Sequence, residues 1–301
     1  MHLESLLDLR LVQTAEEVGF LDGGLGKARY GGDGESPGTR LRFAQTSAVV
    51  RASAGETLSA RVQLNVDTDP HPSSGLKGVD VIEAYVAFAP RLSDTVGLRL
   101  RGGFFFPPIS LENDGPSWTP TRTLTPSAIN SWVGEEVRTT GLEASLHAFL
   151  PRSDLVVTGA LFGWNDPCGS LLTYRGWAFD DRLSGATDRI PLPSDPGFEP
   201  THEFPQQADW VAPFREVDDR AGWYAAGSWS VPEKLELRLL RYDNRGNWVS
   251  VQRGQYAWET RFWAAGLRAP IAGGLELLAQ GMTGRTRMGP GPAIDVTFEG
   301  V

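Results

Sequence analysis

The sequence predicts an all-β fold, an antiparallel up-and-down transmembrane β-barrel with about twelve visible strands. The first observation is the run Leu58–Val66, in which apolar residues alternate with serine, arginine, glutamine and asparagine. A period of two gives a strand one apolar and one polar face. The second observation is that this pattern recurs along the chain, with charged residues on the polar face. A sheet that is apolar outside and charged inside suits a barrel that faces lipid and encloses water.

Composition agrees with one β-barrel domain over residues 1–301, with long loops at 14–38, 107–136 and 165–220. The 35 glycines, 21 prolines and 10 tryptophans fit a turn-rich β protein with interfacial aromatic residues. No stretch approaches the roughly 20 consecutive apolar residues of a membrane helix. This criterion does not detect the strands of a membrane β-barrel, because only every second residue of such a strand is apolar.

The strands are expected to be longer than the usual five or six residues, close to the roughly 9–11 that a tilted membrane strand needs. The alternating runs, taken in chain order, are 3–13, 39–53, 57–67, 79–89, 95–106, 137–150, 154–164, 221–231, 233–243, 255–268, 273–284 and 293–301.

The connections between these runs alternate between tight turns and long loops. Bacterial outer-membrane barrels have this arrangement, whereas a meander in a soluble sandwich needs no such order. The alternation requires 165–220 to be one loop, which we expect to fold inward around a strand-like or helical piece at 171–179. Within 107–136, Thr125 followed by Pro126 predicts the start of a short helix, with Thr125 as its N-cap.

The polar faces of the strands supply the candidate site. An arginine on the lipid face of a barrel costs about 2–4 kcal/mol at mid-depth, so charged faces should line a wet lumen. On 255–268, Tyr256, Trp258 and Phe262 are expected to oppose the charged face. The predicted pore-lining residues are Arg61, Arg99, Arg101, Glu143, Arg238, Glu259 and Arg261.

Other functions find little support in the sequence. A net charge of -9 argues against nucleic-acid binding, and the single cysteine, Cys168, excludes an internal disulfide or a cysteine metal cluster. Ser145 and His147 share a face, but no third catalytic member is identifiable. We therefore expect no enzyme activity, no cofactor and no bound metal.

Three segments resemble porin-like outer-membrane proteins of Gram-negative bacteria. They are Leu21-Asp-Gly-Gly-Leu-Gly-Lys-Ala-Arg-Tyr-Gly31, the stretch from Pro126-Ser-Ala-Ile-Asn-Ser-Trp into Thr140-Gly-Leu-Glu-Ala-Ser145, and Asp166-Pro-Cys-Gly-Ser-Leu-Leu-Thr-Tyr-Arg-Gly-Trp177. The general shape is that of the phosphate-selective porin type, which implies a bacterial outer-membrane location and a homotrimer. Its phosphate site is not carried over, because Lys27, Lys77 and Lys234 are the only lysines.

The ends of the chain depart from that family. Such barrels commonly end in an aromatic residue, whereas this chain ends Phe298-Glu-Gly-Val301, and no signal peptide is visible. The expectation is a fragment of a larger barrel of about 16 strands, with a complete twelve-stranded barrel as the alternative.

The expected function is passive diffusion of small polar or ionic solutes through a water-filled lumen in contact with outer-membrane lipid. Two alternatives stay open. One is a structural or anchor barrel whose lumen is plugged by 165–220 and which partners another envelope protein. The other is a soluble β-sandwich that binds glycans through exposed tryptophans.

Overall fold

Twelve strands form one antiparallel sheet in which every strand pairs with its neighbours in chain order. The structure, a computed structural model, describes residues 1–67, 75–291 and 293–301. The strands are β1 His2–Thr14, β2 Gly38–Ala54, β3 Leu58–Val66, β4 Val79–Phe88, β5 Val96–Phe105, β6 Thr139–Leu150, β7 Ser153–Gly163, β8 Gly222–Val231, β9 Leu235–Asp243, β10 Glu259–Pro270, β11 Glu276–Met288 and β12 Ile294–Gly300.

Each of the twelve predicted runs is a strand of this sheet, which confirms the all-β, up-and-down fold. The start of the predicted run 255–268 is displaced, since β10 begins only at Glu259. Gln255–Tyr256 instead pairs with Val251–Gln252 in a separate small hairpin. The chain then turns inward at Trp258, whose backbone N–H donates to the carbonyl of Asp166.

Short turns at one edge of the sheet alternate with longer connections at the other, as predicted. The short turns lie at 55–57, 89–95, 151–152, 232–234 and 271–275, and the longer connections include 15–37, 106–138 and 164–221. The two edges are called the short-turn end and the long-loop end below.

The sheet is strongly curled around a packed interior. In a flat sheet, the eight spacings of about 4.8 Å between β4 and β12 would hold these strands about 38 Å apart. Ile82 on β4 and Phe298 on β12 nevertheless belong to one buried cluster around Trp132, whose ring centroid lies 5.4 Å from that of Phe298. Among the described ladders, β1 and β12 are the two edge strands.

The outer face of the curled sheet is apolar and the inner face carries polar side chains. On β3, Val62 is 39% exposed, whereas its neighbour Gln63 is fully buried. On β6, Leu142 is 72% exposed, whereas its neighbour Glu143 is 4% exposed. Leu161, opposite Leu142 on β7, is 65% exposed. This is the inverted polarity that the alternating runs predicted.

The polarity differs from prediction at the long-loop end of the last three strands. Phe262 and Phe298 face the interior and are buried, so their neighbours Glu259, Arg261 and Asp295 lie on the opposite, outer face. The physical reason is that the interior is filled with aromatic side chains at this depth. At this depth the inner face of β10 therefore carries Thr260 and Phe262, where a charged lining was expected.

Aromatic residues divide between the two faces. Trp229 and Trp263 are 41% and 49% exposed on the outer face, consistent with an interfacial girdle. Trp258, which was expected to oppose the charged face of its strand, is buried, and so are Phe104–Phe106 at the end of β5. Trp258 packs edge-on against Tyr174, and Phe106 stacks on Trp118.

Two long loops fold into the space inside the sheet. The predicted helix exists as α1, Ala128–Glu135, but its N-cap is Ser127 rather than Thr125, since the Ser127 hydroxyl accepts the backbone N–H of Asn130. The piece predicted at 171–179 is helical over α2, Ser170–Arg175. We call residues 106–138 and 164–189 the plug. No helix in the described ranges is long and apolar enough to cross a membrane.

Candidate functional site

A cavity of about 250 Å³ lies on the inner face of β5–β9, towards the short-turn end. The strands bring charged and hydroxyl side chains to one surface because every second residue points inward. Residues 106–108 of the plug close one side of it. The cavity is lined by Arg99, Arg101, Phe106, Pro108, Glu143, Ser145, His147, Val156, Thr158, Ala226, Gly227, Ser228 and Arg238.

Arg101 and Glu143 form the central ion pair of this cavity. They are directly opposite in the β5–β6 ladder, and Arg101 Nη2 lies 2.7 Å from Glu143 Oε2. The Tyr224 hydroxyl on β8 donates to the same carboxylate oxygen. Arg101 also donates to the carbonyl of Phe106 and lies over the Phe105 ring. This buried pair is therefore held by partners on three sides.

Arg99 is the most loosely held arginine of the cavity. Its side chain is 34% exposed, and its Nη1 is 3.9 Å from Glu143 Oε1, beyond hydrogen-bond distance. Since Glu143 is already paired with Arg101, the Arg99 guanidinium has donors left for a solute.

Arg61 extends the ion-pair chain beyond the cavity. Its Nε lies 2.7 Å from Glu83 Oε2, and Glu83 Oε1 lies 3.9 Å from Arg101 Nη1. Arg61 thus shares the inner face and the charge network, although it does not line the cavity itself.

Arg238 ties the far wall to the plug. Its Nε donates to Glu236 Oε1 at 2.8 Å, and its Nη1 donates to the carbonyl of Ser110. Gln280 on β11 accepts the backbone N–H of Leu111 at 2.8 Å. Residues 106–111 therefore cross the lumen, with hydrogen bonds to β5 at one end and to β9 and β11 at the other.

Five of the seven predicted lining residues lie on the inner face: Arg61, Arg99, Arg101, Glu143 and Arg238. The inner-face expectation is wrong for Glu259 and Arg261. Both lie on the outer face of β10, where Glu259 contacts Arg287 and lies 3.8 Å from Arg261. That outer charged patch sits beyond the apolar positions of the strand, at its long-loop end.

Tyr224 and Thr158 were missed by sequence reasoning. Both alternate with apolar neighbours on their strands, so the period of two carried the signal for them. The inward crossing of residues 106–111 left no comparable signal, because it depends on contacts with β9 and β11 that are distant in sequence.

The chemistry of the cavity is that of a polar, positively biased wall. Three arginines face it against one carboxylate, and Ser145 and Thr158 share a hydrogen bond of 2.9 Å. The Ser145 hydroxyl thus bonds to Thr158, while His147 stacks on Phe149. Ser145 and His147, the two residues considered as a catalytic pair, therefore each contact another residue.

An acidic cluster stands apart from the cavity, in the loop region around Asp166. One carboxylate oxygen each of Asp166, Glu216 and Asp218 lies within 4.8 Å of the others. Burial, opposed by the backbone N–H of Val217 and aided by the two neighbouring acids, raises the pKa of Asp166 to about 8. Asp166 therefore binds a proton around neutral pH.

The described strands thus define an antiparallel up-and-down β-sheet that is curled, with an apolar outer face and charged side chains on its inner face. No protein-family model and no curated protein sequence matches the chain. A crystal structure of the outer membrane channel DcaP of Acinetobacter baumannii is similar, with 10% sequence identity and a TM-score of 0.33. The similarity covers 98% of this chain and 79% of that one.

Proposed function

We propose that this protein spans a bacterial outer membrane as a β-barrel and lets small polar or ionic solutes diffuse along its inner wall. The observation that carries the proposal is the inverted polarity of the sheet. Leucine and valine side chains are exposed on the outer face of strand after strand, whereas glutamine, glutamate and arginine are buried on the inner face.

Lipid accounts for this arrangement better than water does. A soluble monomer usually exposes continuous apolar patches of only a few hundred Å². Here exposed apolar side chains recur on the outer face of one strand after another. In hydrocarbon the same face is covered, and the sheet satisfies its backbone groups within its ladders. The strands form one curled sheet, rather than the two stacked sheets that the glycan-binding sandwich requires.

The positive bias of the cavity sets the expected selectivity. Of the three arginines that face it, Arg101 pairs with Glu143 and Arg238 pairs with the neighbouring Glu236. Arg99 is left as the cation without a carboxylate at hydrogen-bond distance. Fixed positive charge near a constriction favours anions over cations. The solute class we propose is accordingly small polar molecules and anions, and a homotrimer stays a prediction.

A second candidate is favoured by the filled interior. Trp132, Val133 and Phe262 are fully buried between the cavity and the long-loop end. A barrel that holds this plug permanently would serve as an anchor or sleeve for another envelope protein. The two candidates differ in one property, which is whether ions cross the reconstituted protein.

Single-channel conductance in planar bilayers separates them. We expect ion passage with a reversal potential that indicates anion preference, and a shift toward cations in Arg99→Glu. Arg152→Glu is the matched control, because Arg152 is exposed in a short turn and does not line the cavity. Absence of conductance in the folded wild type would refute the channel and favour the anchor.

A further inference from the structure

Four charged side chains from three separate loops meet in the interior at the long-loop end. Lys27 comes from residues 15–37, Glu135 and Glu136 from the end of α1, and Asp180 from the segment after α2. Lys27 Nζ lies 2.9 Å from Glu135 Oε2 and 3.7 Å from Glu136 Oε1. The backbones of Lys27 and Asp180 also form an isolated β-bridge. The cluster thus joins the plug to the segment 15–37.

The cluster is closed to solvent and incompletely satisfied. Lys27 and Glu136 are 2% and 0% exposed. Neither carboxylate oxygen of Glu136 has a hydrogen-bond partner among the described residues, although the side chain points at Lys27. Other charged groups act on the cluster from neighbouring segments: Asp181 and Arg29 beside Asp180, Arg182 through its backbone N–H, and Arg138 and Arg175 towards Glu135.

One ammonium cannot neutralise three buried carboxylates. The shortest contact pairs Lys27 with Glu135, so ionised Glu136 and Asp180 would be two further buried negative charges, and Glu136 has no cation at hydrogen-bond distance among the described residues. Burying an unpaired charge is strongly unfavourable, and such a group binds a proton instead. Burial, outweighing the attraction of Lys27, raises the pKa of Glu136 and that of Asp180 well above their usual values.

We propose that Glu136 and Asp180 form a proton-operated latch on the plug, closed when both carboxyls are protonated and released when they lose their protons to solvent. Release separates α1 and the segment around Asp180 from residues 15–37, which widens the lumen beside Trp132. The conductance part of this inference rests on the proposed channel function, whereas the movement of the plug does not.

The sign of the pH dependence follows from linkage. Below the ordinary carboxyl pKa of roughly 4.5, both latch states are protonated and the closed state keeps its full stability. Above it, the released state loses its protons first, so the closed state loses about tenfold in relative population per pH unit for each proton. In the closed latch, Lys27 Nζ lies 2.9 Å from Glu135 Oε2, so the ammonium keeps a carboxylate partner when Glu136 and Asp180 are protonated.

Cys168 provides a natural reporter of plug release. It is the single cysteine of the chain, it is 0% exposed, and its carbonyl accepts the indole N–H of Trp132 at 3.0 Å. The full chain in vesicles is labelled with a maleimide from pH 5 to pH 8. Each rate is divided by the rate for the urea-unfolded chain at the same pH, which removes the titration of the thiol itself.

The wild-type ratio should rise by at least about tenfold per pH unit over part of this range, as expected for one proton or more. In an Asp166→Asn background, which removes the acid beside Cys168 whose pKa is also raised, the double variant Glu136→Gln/Asp180→Asn should give a flat ratio. Lys27→Met should release the plug at lower pH. Glu56→Gln, in an exposed short turn, should match the wild type.

A flat wild-type ratio, or a double variant as steep as the wild type, would overturn the latch. If the double variant does not fold, the wild-type slope and the Lys27→Met shift still decide the question. Labelling that rises with pH in a protein that conducts no ions keeps the latch and refutes the channel. A protein that conducts ions but is labelled at a pH-independent ratio keeps the channel and refutes the latch.

Discussion

Replacement of Trp132 by alanine tests whether the plug obstructs the lumen. Trp132 is fully buried on α1, with its ring 5.6 Å from that of Phe262 and 5.4 Å from that of Phe298. Its indole N–H donates to the carbonyl of Cys168 at 3.0 Å. The side chain therefore joins α1 to the wall strands and to the other half of the plug.

The expected magnitude follows from these contacts. Truncating a buried tryptophan to alanine costs about 3–5 kcal/mol, from lost burial and from the cavity left behind. The Cys168 carbonyl also loses its donor, which costs about 1–3 kcal/mol if no water replaces it. We expect the plug to undock before the sheet unfolds, since the backbone ladders of the twelve strands do not involve α1.

Two assays measure this effect. Urea unfolding followed by circular dichroism reports the stability of the sheet, and planar-bilayer recording reports conductance, which should rise in Trp132→Ala. Trp229→Ala is the control, because Trp229 is 41% exposed on the outer face and should leave conductance unchanged. Equal conductance in Trp132→Ala and the wild type, with the sheet folded in both, would refute the obstruction.

Three further predictions concern single residues. Glu143→Gln should lower the free energy of unfolding by about 3–5 kcal/mol in urea titrations, because it removes the negative charge 2.7 Å from the buried Arg101 guanidinium. A loss below about 1 kcal/mol contradicts this. Leu142→Arg should cost about 2–4 kcal/mol in vesicles, since Leu142 is 72% exposed on the outer face, and a neutral effect would place this face in water. Burial raises the pKa of Asp166 to about 8, so its contribution to the free energy of unfolding is complete below pH ~4 and falls by about 1.4 kcal/mol per pH unit up to about pH 8. Asp166→Asn should remove this part of the pH dependence of the free energy of unfolding. An unchanged pH dependence would refute the raised pKa.

The strands could be predicted from sequence because their period is local. Each alternating run, such as Leu58–Val66, reports its own two faces without reference to the rest of the chain. The same local signal placed Arg99, Arg101 and Glu143 on one inner wall, since every second residue of β5 and of β6 shares a face.

The period of two does not state which face is inside. On β10 the charged residues Glu259 and Arg261 lie outside, because Phe262 packs against Trp132 of a helix more than a hundred residues earlier. The burial of Lys27 with Glu135 likewise depends on two loops meeting in space. Such contacts between distant segments leave no spacing in the sequence from which they could be predicted.

The orientation of the sheet in a membrane is tested most directly by spin labels placed singly at each residue from Leu142 to His147, in a Cys168→Ser background. Accessibility to oxygen, which concentrates in lipid, and to a water-soluble nickel complex is measured for each label in vesicles. Oxygen accessibility should peak at Leu142, Ala144 and Leu146, and nickel accessibility at the residues between them. Loss of this alternation, or alternation with the opposite phase, would contradict a barrel that is apolar towards lipid and polar towards its interior.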